Sequence, residues 1–324
     1  MKVAVVGGAG ALGSVFGGIL TEAGEDVTLV DIPGPRIEAL QKDGLILSSA
    51  QGEKLINVKV TTDPSSVGTC DLVMISVKGY HTSEALENAS PMIGPDTMVM
   101  SLQNGAGNVE VIGSKISHER VIGGITAHSA AITGPNRVNY ELGGGGGVLI
   151  ASLSGAVTPE IEGVAGMLNK AGTPTQTARN VNEVIWGKLV MNACVNPVGA
   201  ISGLSNGEIF AGAGGRETIT MIMSEAQDVA RAQGLSLPGG DDQVSRILEI
   251  GKMAAERGDK NKVSMLQDIE AGRKTEIDYI NGIIVKKGEE YNIPTPVNRV
   301  MVFLVKMLEE KIRDIPSSMH KIAE

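Results

Sequence analysis

A short β-rich run, Val3-Ala4-Val5-Val6, passes straight into Gly7-Gly8-Ala9-Gly10-Ala11-Leu12-Gly13, and no other feature restricts the fold as much. The glycines at 8, 10 and 13 make G-x-G-x-x-G, followed by a helical stretch and a second β-rich run, Val27-Thr28-Leu29-Val30, that ends in Asp31. Each glycine has a purpose in a strand-to-helix junction that receives a pyrophosphate. Gly8 serves the tight turn, Gly10 lets backbone approach the phosphates, and Gly13 lets the helix sit close on its strand. Ala11, Leu12 and Gly13 then open a helix whose first N–H groups meet the anion. Asp31 lies 23 residues after Gly8, where a carboxylate accepts bonds from ribose hydroxyls and repels a 2′-phosphate. The pattern predicts a dinucleotide site, and Asp31 favours NADH over NADPH. Arg36 and Lys78 are the cations near enough in sequence to meet a 2′-phosphate instead; the bland reading of Asp31 is an exposed turn before Pro33-Gly34-Pro35.

The rest of the first half alternates short β-rich runs (72–76, 98–102, 121–122) with helical patterns (36–42, 83–92, 109–112), the appearance of a parallel sheet flanked by helices. Residues 138–142 and 148–151, separated by the glycine run 143–147, read as an antiparallel pair with a flexible tip. From about residue 180 the pattern changes to long 3.6-residue periodicity, with helices expected over 182–195, 217–233, 243–256, 267–292 and 295–313. Thr295 and Pro296 suit the N-cap and first position of the last helix. The reading is therefore α/β: an N-terminal Rossmann-type dinucleotide-binding domain over 1–178, followed by an all-helical C-terminal domain over 179–324.

Composition narrows the partners. The chain of 324 residues has a net charge of −9, and both halves are acidic; no phosphate-neutralising excess exists for nucleic acid or an anionic membrane. With one Trp, four Tyr and three Phe, stacking platforms for single strands are scarce too. Cys70 and Cys194 are the only cysteines, which points to a reduced, cytoplasmic setting without a disulfide framework. Two charge-free stretches, 3–21 and 189–207, imitate a signal sequence and a membrane span, but glycines in the first and asparagines, serines and a proline in the second argue against both. His81, His118, His128 and His320 are scattered without ligand spacing, so no metal site is expected.

A hydride transferase acting on a carbonyl needs a proton donor near the developing alkoxide and polar groups that fix the substrate. In Trp186-Gly187-Lys188-Leu189-Val190-Met191-Asn192, a lysine and an amide stand four residues apart on one helix face. Asn196 adds a turn before Pro197, which is expected to interrupt the ladder. Lys188 is the only charge between Glu183 and Glu208, and partial burial would lower its pKa toward that of a useful acid. The bland reading is a snorkelling lysine with capping amides. Ser264 with Gln267 makes a capping box, so Ser264 reads as a helix cap that can also touch a ligand. Glu276 reads as a mid-helix carboxylate within reach of Lys274 or Arg273.

Taken together, the chain resembles the ketopantoate reductase (2-dehydropantoate 2-reductase) family nearly end to end. The likeness runs through the glycine motif, Val77-Lys78, Gln103-Asn104-Gly105, Trp186-x-Lys188-x-x-x-Asn192-x-x-x-Asn196-Pro197, Ser264-Met265-Leu266-Gln267-Asp268, Thr275-Glu276-Ile277-Asp278 with Asn281-Gly282, and Pro294-Thr295-Pro296. The resemblance implies that Lys188 is the proton donor, that Glu276 holds its geometry, and that Asn104, Asn192, Asn196 and Ser264 bind a small 2-keto acid. Asn104 and Lys78 would also border the cofactor. Typical members use NADPH and carry a basic residue where this chain has Asp31.

The expected activity is NAD(P)H-dependent reduction of ketopantoate to D-pantoate in pantothenate and coenzyme A biosynthesis, by an enzyme that could form a homodimer through apolar stripes on its C-terminal helices. The alternative is an NAD-dependent D-2-hydroxy acid dehydrogenase acting on another 2-keto acid. A non-catalytic dinucleotide-binding sensor is the reading from a different class, and it leaves Lys188, Asn192 and Glu276 without a purpose.

Overall fold

Val3, Ala4 and Val5 are wholly buried, as a central strand covered by helices on both faces requires. The computed structural model describes residues 1–142 and 147–313. The chain divides into two units, one made of Met1–Gln103 and Gly107–Val184, the other of Asn104–Ala106 and the chain described from Ile185 onward.

In the first unit the elements follow as β1 (Lys2–Val6), α1 (Ala11–Glu22), β2 (Asp26–Val30), α2 (Pro35–Asp43), β3 (Leu45–Ser49), β4 (Gly52–Ile56), β5 (Lys59–Thr61), β6 (Leu72–Ile75), α3 (Thr82–Asn88), β7 (Met98–Ser101), α4 (Asn108–Gly113), β8 (Val121–Thr126), β9 (Ser129–Gly134), β10 (Arg137–Glu141), β11 (Val148–Ser152), α5 (Pro159–Lys170) and β12 (Thr175–Ala178). The larger sheet has the order β12-β11-β8-β7-β6-β1-β2-β5. Its pairings are parallel except that of β8 with β11. Successive strands step outward from β1 to β2 and β5 on one side and from β6 to β8 on the other. A crevice therefore opens beyond the carboxyl ends of β1 and β6, the place where a doubly wound sheet takes its ligand. This is the Rossmann-type domain the strand–glycine–helix signature predicts.

The smaller sheet, β4-β3-β10-β9, was not expected. Its inward residues Leu45, Leu47, Ile56 and Val138 join Phe16 and Leu20 of α1 in one core. Gly17 and Gly18 make this possible: a Cβ on Gly17 would lie 2.2 Å from Leu29, and one on Gly18 would lie 2.8 Å from Leu47. A helix with side chains at both positions could not touch both sheets. The expected antiparallel pair of 138–142 with 148–151 does not form. Val138 is fully buried beside β3 and β9, while β11 pairs with β8 and β12. Two different sheets claim the two strands; of the glycine run between them, residues 143–146 lie outside the described residues.

The second unit is helical: α6 (Val181–Ser202, entering it at Ile185), α7 (Asn206–Ala211), α8 (Ala213–Ala232), α9 (Gln243–Glu256), α10 (Ser264–Glu270), α11 (Asn281–Tyr291) and α12 (Pro296–Arg313). The apolar spacing Ile219, Ile222, Met223, Ala226 places four fully buried residues on one face of α8; each large side chain so buried stabilises the unit by about 1.5–3 kcal/mol. By length and composition α6 could cross a membrane, and 67% of its apolar window is buried within the protein.

Two expectations for this unit fail. The helix expected over 267–292 is broken, because Gly272 at φ +67° ends α10 and the chain makes a short 3-10 turn, Ile277–Tyr279, before α11 begins. The apolar periodicity runs on across a break that one glycine causes. Conversely, α6 does not stop at Pro197 but continues to Ser202.

Candidate active site

In the first unit, the glycine loop closes the crevice between β1 and β6. Gly7 turns the chain at φ +81°, and a Cβ there would lie 2.8 Å from the Ser76 carbonyl carbon. The left-handed conformation thus falls on Gly7, and Gly8 follows it within the same turn. Gly8 is also needed for closeness, since its Cβ would meet that of Leu29 at 2.7 Å. Gly13 packs the helix on the turn: its Cβ would lie 2.3 Å from the Gly7 carbonyl oxygen. At Gly10 a Cβ would meet only the oxygens of Gly7, at 3.1 Å, and Ser76, at 3.8 Å, so its other side faces open space that a pyrophosphate can use. Ala11 and Leu12 open α1 there.

Asp31 bends back onto this loop. Its carboxylate accepts the backbone N–H of Ala9 at 2.9 Å and that of Ile32 at 2.8 Å. Beside it lies a cavity of about 530 Å³ whose charged lining is Asp31, Asp63 and Glu84 together with His81. Among the described residues, no lysine or arginine lines it. Arg36 is engaged elsewhere: its guanidinium donates to the carbonyls of Ala9, Gly134 and Pro135 and to the Ser14 hydroxyl. Burial draws its pKa below the usual guanidinium value, against the charge of Asp31. Lys78 is half-buried just ahead of the 3-10 turn Gly79–His81. A dinucleotide fits these residues: backbone N–H groups for the pyrophosphate, a carboxylate for ribose hydroxyls, and a cavity of suitable size.

In the second unit, the helical period puts Lys188, Asn192 and Asn196 on one face of α6. Asn192 Nδ2 reaches toward Asn104 Oδ1 at 3.5 Å, and Asn196 is buried. Lys188 feels the charge of Glu276, which is buried rather than exposed on a helix surface as the sequence suggested. Of the two partners expected for it, Lys274 and Arg273, the second pairs with Asp268 at 2.9 Å. Two opposing influences act on the Lys188 ammonium. Burial pulls its pKa down and the Glu276 carboxylate pushes it up, leaving it at about 8. A lysine poised there gives up and recovers a proton near neutral pH.

The loop Asn104–Ala106 joins this unit through Tyr279, whose carbonyl accepts the Ala106 N–H at 3.0 Å. A Cβ on Gly105 would lie 2.5 Å from that carbonyl oxygen, so only glycine allows the approach. Ser264 is exposed and is the first residue of α10; Val263, extended at ψ 150°, holds the cap position expected for Ser264.

Sequence reasoning passed over Gly7, the Arg36 clamp and Glu309. Glu309 is buried on α12 and its carboxylate accepts both the backbone N–H (2.7 Å) and the hydroxyl (2.6 Å) of Thr275, the residue before Glu276. The available signal was an acid in step with buried Val302 and Val305 on one helix face.

Residues 3–155 match the family model for ketopantoate reductase PanE/ApbA, and residues 180–309 match that for the C-terminal part of the same family. A 2-dehydropantoate 2-reductase from Archaeoglobus fulgidus is 35% identical over 302 residues, 93% of this chain and 96% of that relative. Among solved structures, a PanE/ApbA family ketopantoate reductase from Ralstonia eutropha is 32% identical with a TM-score of 0.85, covering 97% of this chain and 100% of the other. D-mandelate dehydrogenase, in a ternary structure with NADH and anilino(oxo)acetate, is 27% identical with a TM-score of 0.86 over 97% of this chain and 100% of its own.

Proposed function

The chain belongs to the ketopantoate reductase family, NAD(P)-dependent oxidoreductases acting on a CH–OH group, and from that membership we propose that it reduces 2-dehydropantoate to D-pantoate with NADH. The setting proposed is the cytoplasm, in pantothenate and coenzyme A synthesis. The observation that carries the reading is Lys188, held at a pKa of about 8 by burial against the charge of Glu276. A reductase must deliver a proton to an oxygen that gains negative charge, and a half-buried lysine of this acidity does so at neutral pH.

When bound, the reduced nicotinamide supplies the hydride. Gly8, Gly10, Ala11, Leu12, Gly13 and Asp31 hold the dinucleotide, and Lys188 holds at Nζ the proton destined for the keto oxygen. Glu276 keeps Lys188 protonated through its charge. Asn104, Asn192, Asn196 and Ser264 supply donors and acceptors for the carboxylate and hydroxyl of the substrate. The preference for NADH rests on Asp31, on the carboxylate-lined cavity beside it and on the engagement of Arg36 with carbonyls. A 2′-phosphate brought there would meet like charge and no free guanidinium.

The likeness to D-mandelate dehydrogenase supports a second reading, in which another 2-keto acid is the substrate. One steady-state panel separates the two: ketopantoate and a set of straight-chain and aromatic 2-keto acids, each with NADH and NADPH. The pathway reading requires ketopantoate to have the highest kcat/KM, and a faster aromatic or straight-chain acid sinks it. A preference for NADPH of about tenfold or more, worth ~1.4 kcal/mol, sinks the cofactor reading.

A further inference from the structure

Pro197 has no N–H, so it cannot bond the carbonyl of Ala193 one turn back in α6. Ala193 is fully buried, and a carbonyl with neither a helical donor nor water is costly. The missing donor comes from another helix. Asn281, the first residue of α11 and itself fully buried, donates its Nδ2 to the Ala193 carbonyl at 3.0 Å.

The same amide donates to Asn298 Oδ1 at 3.0 Å. Asn298 Nδ2 in turn donates to the Ile222 carbonyl at 3.2 Å and to Glu225 at 2.7 Å. A carbonyl at one end and a carboxylate at the other leave a single consistent orientation for both amides. Glu225 also accepts the N–H groups of Val297 and Asn298, at 2.8 and 2.9 Å, in the first turn of α12. The chain of bonds thus starts at the proline-broken turn of α6, between Asn192 and Asn196, and ends at a helix cap.

Asn281 also closes the segment that carries Glu276. The N–H groups of Tyr279 and Ile280 bond the Glu276 carbonyl at 3.0 and 3.1 Å, and the Tyr279 carbonyl holds the loop that bears Asn104. One short segment, 276–281, therefore bears the acid, anchors the Asn104 loop and grips α6.

We propose that Asn281 is a positioning residue: by supplying the donor that Pro197 withholds from Ala193, it ties the turn between Asn192 and Asn196 to the segment that carries Glu276. The proposal rests on the reading of Lys188 and Glu276 as the catalytic pair. A proline at this place leaves a buried carbonyl open, and that carbonyl is what gives another helix a grip on α6.

A double-mutant cycle tests it. With Pro197 present, Asn281→Ala strips Ala193 of its donor; kcat falls roughly 10- to 100-fold through misplacement of the site, while the NADH dissociation constant, read by fluorescence titration, stays unchanged. In the Pro197→Ala background the new N–H reaches Ala193, so the same Asn281→Ala change costs much less in kcat and in thermal midpoint. Equal losses in the two backgrounds overturn the proposal. So does a lower thermal midpoint for Asn281→Ala with kcat intact, which a merely structural amide would give. Asn281→Leu, close in size and lacking the donor, serves if Pro197→Ala does not fold: it must lose kcat as Asn281→Ala does, and full turnover overturns the proposal. If the wild-type protein ignores ketopantoate and turns over another 2-keto acid, the pathway reading fails, and the cycle is read with that acid.

Discussion

The dinucleotide loop of the first unit is built from backbone: Gly7, Gly8, Gly10 and Gly13 allow its close approaches, and two charged side chains brace it at Ala9, Asp31 through the N–H and Arg36 through the carbonyl. The polar site of the second unit is built from side chains brought together from distant stretches: Asn104, then Lys188, Asn192 and Asn196 on α6, then Glu276. The first kind of site is local in sequence and cannot be rebuilt with other residues, because its glycines are required by space. The second is dispersed, and each member matters through its own chemistry. Substitutions should therefore fail in different ways in the two units: by loss of cofactor binding or preference in the first, by loss of the chemical step in the second.

The largest expected effect is on Lys188. Lys188→Ala should lower kcat by about 10²- to 10⁴-fold, the span typical of a lost general acid, while NADH binding measured by titration stays unchanged. Turnover that survives would remove the distinction between the units, since the chemistry would then lie elsewhere. Next comes Asp31→Arg, which replaces a like charge for a 2′-phosphate by an opposite one. The ratio of kcat/KM for NADPH over NADH should rise by roughly 100-fold, equivalent to ~2.7 kcal/mol, with kcat at saturating cofactor little changed. A variant that loses kcat with both cofactors would show Asp31 to be coupled to the chemistry.

The same contrast governs what could be read from sequence. The strand–glycine–helix signature predicts both the sheet and its ligand end because β1, the loop and α1 are contiguous, so local spacing is three-dimensional spacing. That Gly7 carries the left-handed conformation in the turn it shares with Gly8 was not legible, because two adjacent glycines do different work and only backbone geometry separates them. In the second unit, Lys188, Asn192 and Asn196 were legible as one helix face. Glu276 was legible only as a charge: Gly272 breaks the helix before it, and burial comes from α12 through Thr275 and Glu309. The smaller sheet stayed hidden for a related reason. The strand 52–56 alternates weakly and is mostly exposed; it pairs locally with 45–49, but 45–49 also pairs with β10 and β10 with β9, so no local window contains the whole sheet. Pro197 misled in the opposite direction, since the donor that lets α6 continue is Asn281, far along the chain.

The finest test bears on how the two influences at Lys188 divide. Its pKa of about 8 is the result of burial, which lowers it, and of the Glu276 charge, which raises it. A proton donor must be protonated to act, so kcat/KM for keto acid reduction should hold below pH 8 and fall above it, and the reverse oxidation should rise through the same range. Glu276→Gln keeps the size of the side chain and removes only the charge. Burial is then unopposed, the Lys188 pKa drops further, and the alkaline limb of the reduction profile moves to lower pH. At neutral pH the acid form is partly lost and the ammonium is less well oriented, so kcat/KM should fall there as well. Glu276→Asp keeps the charge and should leave the limb near its original pH while lowering the rate through a shorter reach. A limb that stays in place in Glu276→Gln would mean that Lys188 is tuned by burial alone, and would leave Glu276 only a geometric part in the site.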